Sequence, residues 1–309
     1  MPKILVTGSI AYDLMLGFDG SFADALKDRD MSQLSVSFFS PRFARHHGGT
    51  GANISWHVRM LGGDPLLVGT VGVDGSPYLA LLRERGIDTT HVEQRAQEHT
   101  AFCVLGTDSD ERQIVFFHPG ADASGSWPDL AEDREDIAWA VVSPRNPVLM
   151  LKGVAACADL KIKTLFDPGQ QSLIFSADDL RRAAGQASGI IVNAYEWELL
   201  RSKLQCTAKD LIAGGKFLII TRGEDGVTIH HDGKEVVLPA CAAEKIVNPT
   251  GAGDVFRAGL LVGLSKGWDL VDAAQFGAAA ASFVVEQEGA LLDVIDIDEL
   301  EERRRRAYA

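Results

Sequence analysis

The stretch Asn248-Pro249-Thr250-Gly251-Ala252-Gly253-Asp254 runs straight into Val255-Phe256-Arg257-Ala258-Gly259-Leu260-Leu261, so a glycine turn delivers a carboxylate to the start of a helix. Glycines leave no Cβ to block close approach. The first NH groups of a helix have no partner within it, and the helix dipole adds partial positive charge there. Such a turn holds an anion. Charge developing on a transferred phosphoryl group is stabilised at that point while Asp254 takes a proton from an attacking hydroxyl, so the chemistry indicated is phosphoryl transfer. A plainer reading is a Gly-rich turn with Asp254 in the first helical turn, where acids are ordinarily favoured.

Working outward, short β-branched runs alternate with helical patterns. Ile4 to Thr7, Leu66 to Val71, Ala140 to Val142, Thr164 to Asp167, Ile190 to Asn193 and Leu218 to Thr221 read as buried strands. Gly51 to Leu61, Pro77 to Arg85, Ala194 to Ser202, Gly253 to Lys266 and Leu270 to Glu286 read as helices. Repeated β and α units predict an α/β fold with a largely parallel sheet covered by helices on both faces. A second pattern interrupts them. Gln33 to Ser40, His99 to Thr107 and Arg112 to His118 read as extended segments, the last two joined by the polar turn Thr107-Asp108-Ser109-Asp110-Glu111. They predict a small β-sheet able to cover a cleft.

Composition excludes some functions. The 309 residues suit one large α/β domain with a small appendage. Lys plus Arg is 30 against 43 for Asp plus Glu, a net charge of −13, which argues against nonspecific binding to nucleic acid or anionic membrane. Cys103, Cys157, Cys206 and Cys241 have no C-x-x-C spacing and are expected to be buried thiols, not a zinc site or a disulfide framework. The apolar stretch at Ile4-Leu5-Val6 is too short for a signal peptide and no later stretch is long enough to span a bilayer, so a cytoplasmic location is expected.

No G-x-x-x-x-G-K-[ST] occurs, which excludes a standard P-loop. Arg42-Phe43-Ala44-Arg45-His46-His47, ahead of Gly49-Thr50-Gly51, is too polar for the buried strand of a dinucleotide fold. Two glycine sequences, His47-Gly48-Gly49-Thr50-Gly51-Ala52-Asn53 and Thr250-Gly251-Ala252-Gly253-Asp254, resemble the paired signatures of the ribokinase or PfkB carbohydrate kinase family. Between them Asn193-Ala194-Tyr195-Glu196 resembles that family's N-x-x-E motif, and Thr221-Arg222-Gly223-Glu224-Asp225-Gly226 its nucleotide loop. The resemblance covers almost the whole chain. Gly8-Ser9-Ile10-Ala11-Tyr12-Asp13, Phe116-Phe117-His118-Pro119-Gly120-Ala121, Asp167-Pro168-Gly169-Gln170 and Phe256-Arg257 are most similar to the bacterial and archaeal nucleoside (adenosine) kinase branch.

The resemblance implies a single ribokinase-like domain over residues 1–309, with a β lid from about 14–46 and 95–120. It implies an ATP-dependent nucleoside kinase acting on a ribose 5′-hydroxyl. A ribokinase-like sugar kinase and a noncatalytic nucleoside-binding protein are the alternatives. Asp254 would be the base, and Gly251, Ala252 and Gly253 would form the anion hole. Asp13, Gly49 and Asn53 would bind the sugar. Thr221, Gly223 and Gly226 would position the nucleotide, while Glu196 would hold Mg2+ through water, supported by Asn193. The family usually carries Asp where this chain has Asn248, and Thr or Ser where it has Pro249, which puts activation by K+ in doubt.

Other residues receive plainer readings. Arg257 is expected to be an exposed helical arginine, with a counter to phosphate charge as the alternative, His46, His47 and His118 solvent-facing or core residues, and Arg303 to Arg306 a solvated helix face. Phe38, Phe39, Phe116 and Phe117 are expected in a core, with one or two available to stack on a base if the lid forms. A monomer and a homodimer are both compatible with an exposed lid edge.

Overall fold

The computed structural model of the protein describes residues 2–27 and 34–309. Its strands are β1 (Lys3–Thr7), β2 (Ala11–Gly17), β3 (Arg42–Gly48), β4 (Asp64–Val71), β5 (Val92–Gln94), β6 (Ala101–Thr107), β7 (Gln113–His118), β8 (Ile137–Val142), β9 (Lys163–Phe166), β10 (Gly189–Asn193), β11 (Phe217–Thr221), β12 (Val227–His231) and β13 (Lys234–Leu238). Nine of them form one sheet in the order β13-β12-β11-β10-β9-β8-β1-β4-β5. Seven of these run parallel, and only β12 and β13 are antiparallel, at one edge. Their apolar runs are buried on both faces, as a parallel sheet under two helix layers requires. The strand order reverses beside β1, which pairs with β4 on one side and β8 on the other. In open α/β sheets the carboxyl ends of the strands at such a reversal form a crevice for ligands.

The helices Thr50–Met60, Ser76–Glu84, Ala194–Leu204, Ala252–Ser265 and Leu270–Val284 match the predicted segments within a few residues. The Ala252–Ser265 helix packs most extensively on Leu270–Val284 and also against Thr50–Met60. Helices Pro147–Asp159, Ala177–Gln186 and Ile297–Tyr308 complete the layers. Among the described residues no helix is long and apolar enough to cross a membrane.

The small sheet has the order β3-β2-β6-β7. It is built only in part from the segments expected. Gln33 lies outside the described residues, and 34–40 form no strand; the pairing comes from Ala11–Gly17 and Arg42–Gly48 instead. The polarity that ruled Arg42 to His47 out of a buried strand suits this exposed sheet. One face of the sheet is covered by Phe18, Phe22 and Phe38, whose ring centroids lie 5.0–5.6 Å apart. Two clamps tie the sheet to the body. Asp74 accepts the Thr100 NH at 2.7 Å where β6 begins. Beyond β7, the buried Asp122 accepts from the buried Arg145 and from the Asn146 NH at 2.7 Å.

Candidate active site

The two glycine motifs, far apart in sequence, meet at the crevice. Gly49, at φ +93°, caps the Thr50–Met60 helix, and the Gly51 NH bonds to the Ser9 carbonyl at 3.0 Å. One turn into that helix, Asn53 donates its Nδ2 to Asp254 Oδ2 at 2.8 Å. Asn53 Oδ1 is buried without a partner. An acceptor left so is costly unless a ligand completes it, and a substrate hydroxyl is a fitting donor.

Asp254 stands in the first turn of the Ala252–Ser265 helix. Gly251, the cap, has φ +87°, and a Cβ there would come within 2.9 Å of the Ala290 backbone, so only glycine forms this turn. The Ala252 NH makes a long bond, 3.3 Å, to the Pro249 carbonyl. The Asp254 carboxyl is pushed up to about 6, chiefly by burial; Arg257 and the Asn53 amide oppose this, and the Asp167 and Asp13 charges add to it. A carboxyl at that value is ionised at neutral pH yet retains proton affinity, as a general base requires.

Asp13 lies on β2 opposite His46 of β3 and Cys103 of β6, so its carboxyl shares a sheet face with both. Burial raises its proton affinity, with His46 opposing. Gly48 lets it sit close, since a Cβ there would collide with the Asp13 carboxyl.

Arg257 is not the exposed residue expected. It is buried, its Nη2 donates to Asp167 Oδ1 at 3.0 Å, and its Nη1 donates to the Gly253 carbonyl at 2.9 Å. Its Nε lies 2.7 Å from Asp167 Oδ2 but is not aligned for a hydrogen bond. Asp167 also accepts from Ser143 Oγ at 3.0 Å.

Asn193 and Glu196 form a reciprocal capping box: the Asn193 side chain accepts the Glu196 NH at 2.8 Å, and Glu196 Oε2 accepts the Asn193 NH at 2.8 Å. The motif therefore has a structural use. Glu196 is nevertheless buried, and burial raises its proton affinity; the Asn193 NH opposes this, Asp167 adds to it and Arg257 opposes it. Thr221 ends β11, beside the end of β10 where Asn193 stands. Space around Gly223 is open, whereas Gly226, at φ +88°, presses on the backbone of Leu238 to Ala240, where a Cβ would collide. Gly226 is thus required by the fold. Asn248 Oδ1 accepts the Thr250 NH at 2.9 Å, and its Nδ2 faces Glu288 at 3.5 Å.

His57, for which the sequence offers no role, lies beneath Asn53. His57 is neutral, held down to about 4 chiefly by burial. Its Nδ1 donates to the Asn53 carbonyl at 2.7 Å, and its Nε2 accepts the Leu292 NH at 3.3 Å. Arg303 is also buried, bonded to Ser282, Glu286 and Glu299, so only part of the basic run is a solvated face. Cys157 and Cys241 are buried as expected, whereas Cys103 and Cys206 are half-buried; all four are free thiols.

Residues 2–296 match the pfkB family carbohydrate kinases. The nucleoside kinase of Methanothermobacter thermautotrophicus is 31% identical over 304 residues, covering 97% of this chain and 94% of that protein. The structure of Burkholderia thailandensis nucleoside kinase in complex with inosine has 32% identity and a TM-score of 0.85, covering 99% of this chain and 98% of that one. The same protein in complex with ADP-inosine gives 32% identity and a TM-score of 0.82, with 99% and 96% covered.

Proposed function

The chain belongs to the pfkB family of carbohydrate kinases, phosphotransferases with a hydroxyl acceptor, and from that premise we propose that it is an ATP-dependent nucleoside kinase acting on the ribose 5′-hydroxyl. The observation that carries the reading is the 2.8 Å contact between Asn53 and Asp254, with the unpartnered Asn53 Oδ1 beside it. Together these make a base and an empty acceptor at one point of the crevice. Relatives that bear the name nucleoside kinase over the full chain support the nucleoside as acceptor.

In this reading Asp254 takes the proton of the 5′-hydroxyl as that oxygen attacks the terminal phosphorus in line, and ADP leaves. The NH groups at Gly251, Ala252 and Gly253 face the charge on the transferred group. Asp13 accepts hydrogen bonds from the neighbouring ribose hydroxyls, with Gly49 allowing close approach and Asn53 supplying the remaining acceptor. Thr221 and Gly223 flank the nucleotide, and Gly226 keeps their turn in shape.

The residues fit magnesium. Glu196 is a buried carboxylate close to Asp167, with Arg257 the cation acting on both. A hydrated divalent ion held through Glu196 and its water shell, beside Asn193, suits that acidic surplus and would neutralise phosphate charge. Asn248 supplies no formal charge for potassium.

The small sheet of β2, β3, β6 and β7 acts as a lid that excludes water from the transfer. Four free cysteines suit a cytoplasmic location, and the enzyme works as a monomer or homodimer.

A phosphoryl-transfer screen with ATP and magnesium across nucleosides and free sugars tests this. Turnover of nucleosides and not of sugars is expected. Turnover of free ribose alone would make it a sugar kinase, and turnover of neither would make it a binding protein.

A further inference from the structure

The site is braced by a residue to which neither glycine motif assigns work. Arg257 lies on the same helix as Asp254, one turn further on, and is buried. Its guanidinium forks: Nη1 reaches back to the Gly253 carbonyl at 2.9 Å, in the peptide unit directly before Asp254, and Nη2 reaches across to Asp167 Oδ1 at 3.0 Å. Asp167 follows the carboxyl end of β9, and it is fixed in turn by Ser143 Oγ at 3.0 Å and by its own NH on the Val142 carbonyl at 2.9 Å. The first turn of the helix is thereby moored to the carboxyl ends of β8 and β9, interior strands of the large sheet. A lysine has the charge but not the planar fork that makes both contacts together.

We infer that Arg257 is a positioning residue for phosphoryl transfer: clamped by Asp167, it fixes the first turn of the Ala252–Ser265 helix and so the aim of the Asp254 carboxylate at the acceptor hydroxyl. The inference rests on the reading of Asp254 as the base. A second consequence is electrostatic. The groups facing Asp254 are Arg257 on its own helix, Asn53 from the Thr50–Met60 helix, Asp167 beyond β9, Asp13 on β2 and the Tyr78 hydroxyl from the Ser76–Glu84 helix. The Glu196 charge also acts on Arg257. Arg257 is the one cation among these groups, and Asp167 holds it in place while itself repelling a charge on Asp254.

Three variants separate the two effects, each assayed for kcat, KM and their pH dependence. Arg257→Lys keeps the charge and loses the fork. The plateau kcat should fall roughly tenfold or more through misalignment, with nucleoside KM little changed and the acid limb where it was. Arg257→Gln should move the acid limb of kcat to higher pH, because the cation is gone. Asp167→Asn should move it to lower pH, because a like charge is gone. A scaffold role alone would lower the amount of folded protein and leave the kcat of the folded Arg257→Lys enzyme unchanged.

Carboxyl-carbon NMR of Asp254 in the ligand-free protein reads the same opposed shifts without turnover. A wild-type enzyme that phosphorylates no acceptor would overturn the functional reading, while the NMR titration would still judge this one. An Arg257→Lys enzyme with wild-type kcat, or Asp254 titrations that stay fixed or move the same way in Arg257→Gln and Asp167→Asn, would overturn the inference.

Discussion

Replacing Asp254 with Asn should abolish most of the activity and at the same time make the protein more stable. The carboxyl is raised from its usual 3.8 to about 6, mainly by burial. In the folded protein its proton is therefore held more tightly than in the unfolded chain. Below about pH 4 the group is protonated in both states and contributes nothing. As pH rises through the window from about 4 to about 6 the unfolded chain ionises first and stability falls, and above about 6 the penalty is complete. Taken at face value the shift amounts to about 3 kcal/mol. Asp254 keeps part of its surface open to the crevice, so water offsets some of this, and about 1–3 kcal/mol is the working range.

Asparagine is nearly the same size, and its oxygen can still accept from Asn53, so the 2.8 Å contact survives. Arg257 stays paired with Asp167. The Asp254→Asn protein should accordingly melt higher than wild type at pH 8, at roughly 2–4 °C per kcal/mol, and the gain should vanish at pH 4. Its kcat should fall by about 100-fold or more, with substrate binding largely intact, because the proton acceptor is lost from the transition state. Thermal unfolding at the two pH values and steady-state kinetics check both halves. A variant that melts lower at pH 8, shows the same gain at both pH values, or turns over near normally would refute the reasoning.

A 2′-deoxynucleoside should react with a kcat/KM lower by the loss of a charged hydrogen bond to Asp13, about 1.5–3 kcal/mol, and equal efficiency with the ribonucleoside would remove Asp13 from diol recognition. Potassium should matter less than in typical members of the family, since Asn248 carries no charge and its Oδ1 is already taken by the Thr250 NH at 2.9 Å; strong saturable activation at fixed ionic strength, on exchanging a bulky organic cation for potassium, would contradict this. Gly226→Ala should lower the melting temperature through a loss of about 1–3 kcal/mol, because a side chain is forced to φ +88° and against the Leu238 carbonyl; an unchanged melting curve would show that the turn relaxes freely.

Much of this was legible in the sequence. The buried strands and the Gly253 to Lys266 helix declare themselves by unbroken apolar runs and by glycine and proline punctuation. The hairpin of β12 and β13 went unread, although Asp232-Gly233, both at positive φ in the structure, is a strong hairpin turn. The helix Pro147–Asp159 had a legible start too, an Asn146 cap followed by proline. Arg42 to His47 is correctly excluded from the buried sheet by its polarity, but that it is a strand at all is not legible, because its partner β2 and the aromatic cluster beside it lie in other segments of the chain. Arg257 and Arg303 were taken for surface residues for a related reason. Nothing local marks a buried arginine; only its carboxylate partners do, and Asp167 lies 90 residues from Arg257. The glycine motifs were legible because each carries its geometry within a few residues. Gly226 shows the converse, a motif position whose glycine is explained by packing against Leu238 to Ala240.

The contact between Asn53 and Asp254 joins residues 201 apart, and the neighbouring loop is held by Trp56 Nε1 on the Leu292 carbonyl across 236. During synthesis Asn53 thus emerges long before Asp254 is made. Local pieces such as the β12 and β13 hairpin can form early, but closing loops of this length comes late in folding. Refolding followed by helix content should run ahead of refolding followed by turnover. A nascent or truncated chain lacking the Ala252–Ser265 helix has only the Asn53 side of the contact, so on the proposed reading it should be inactive.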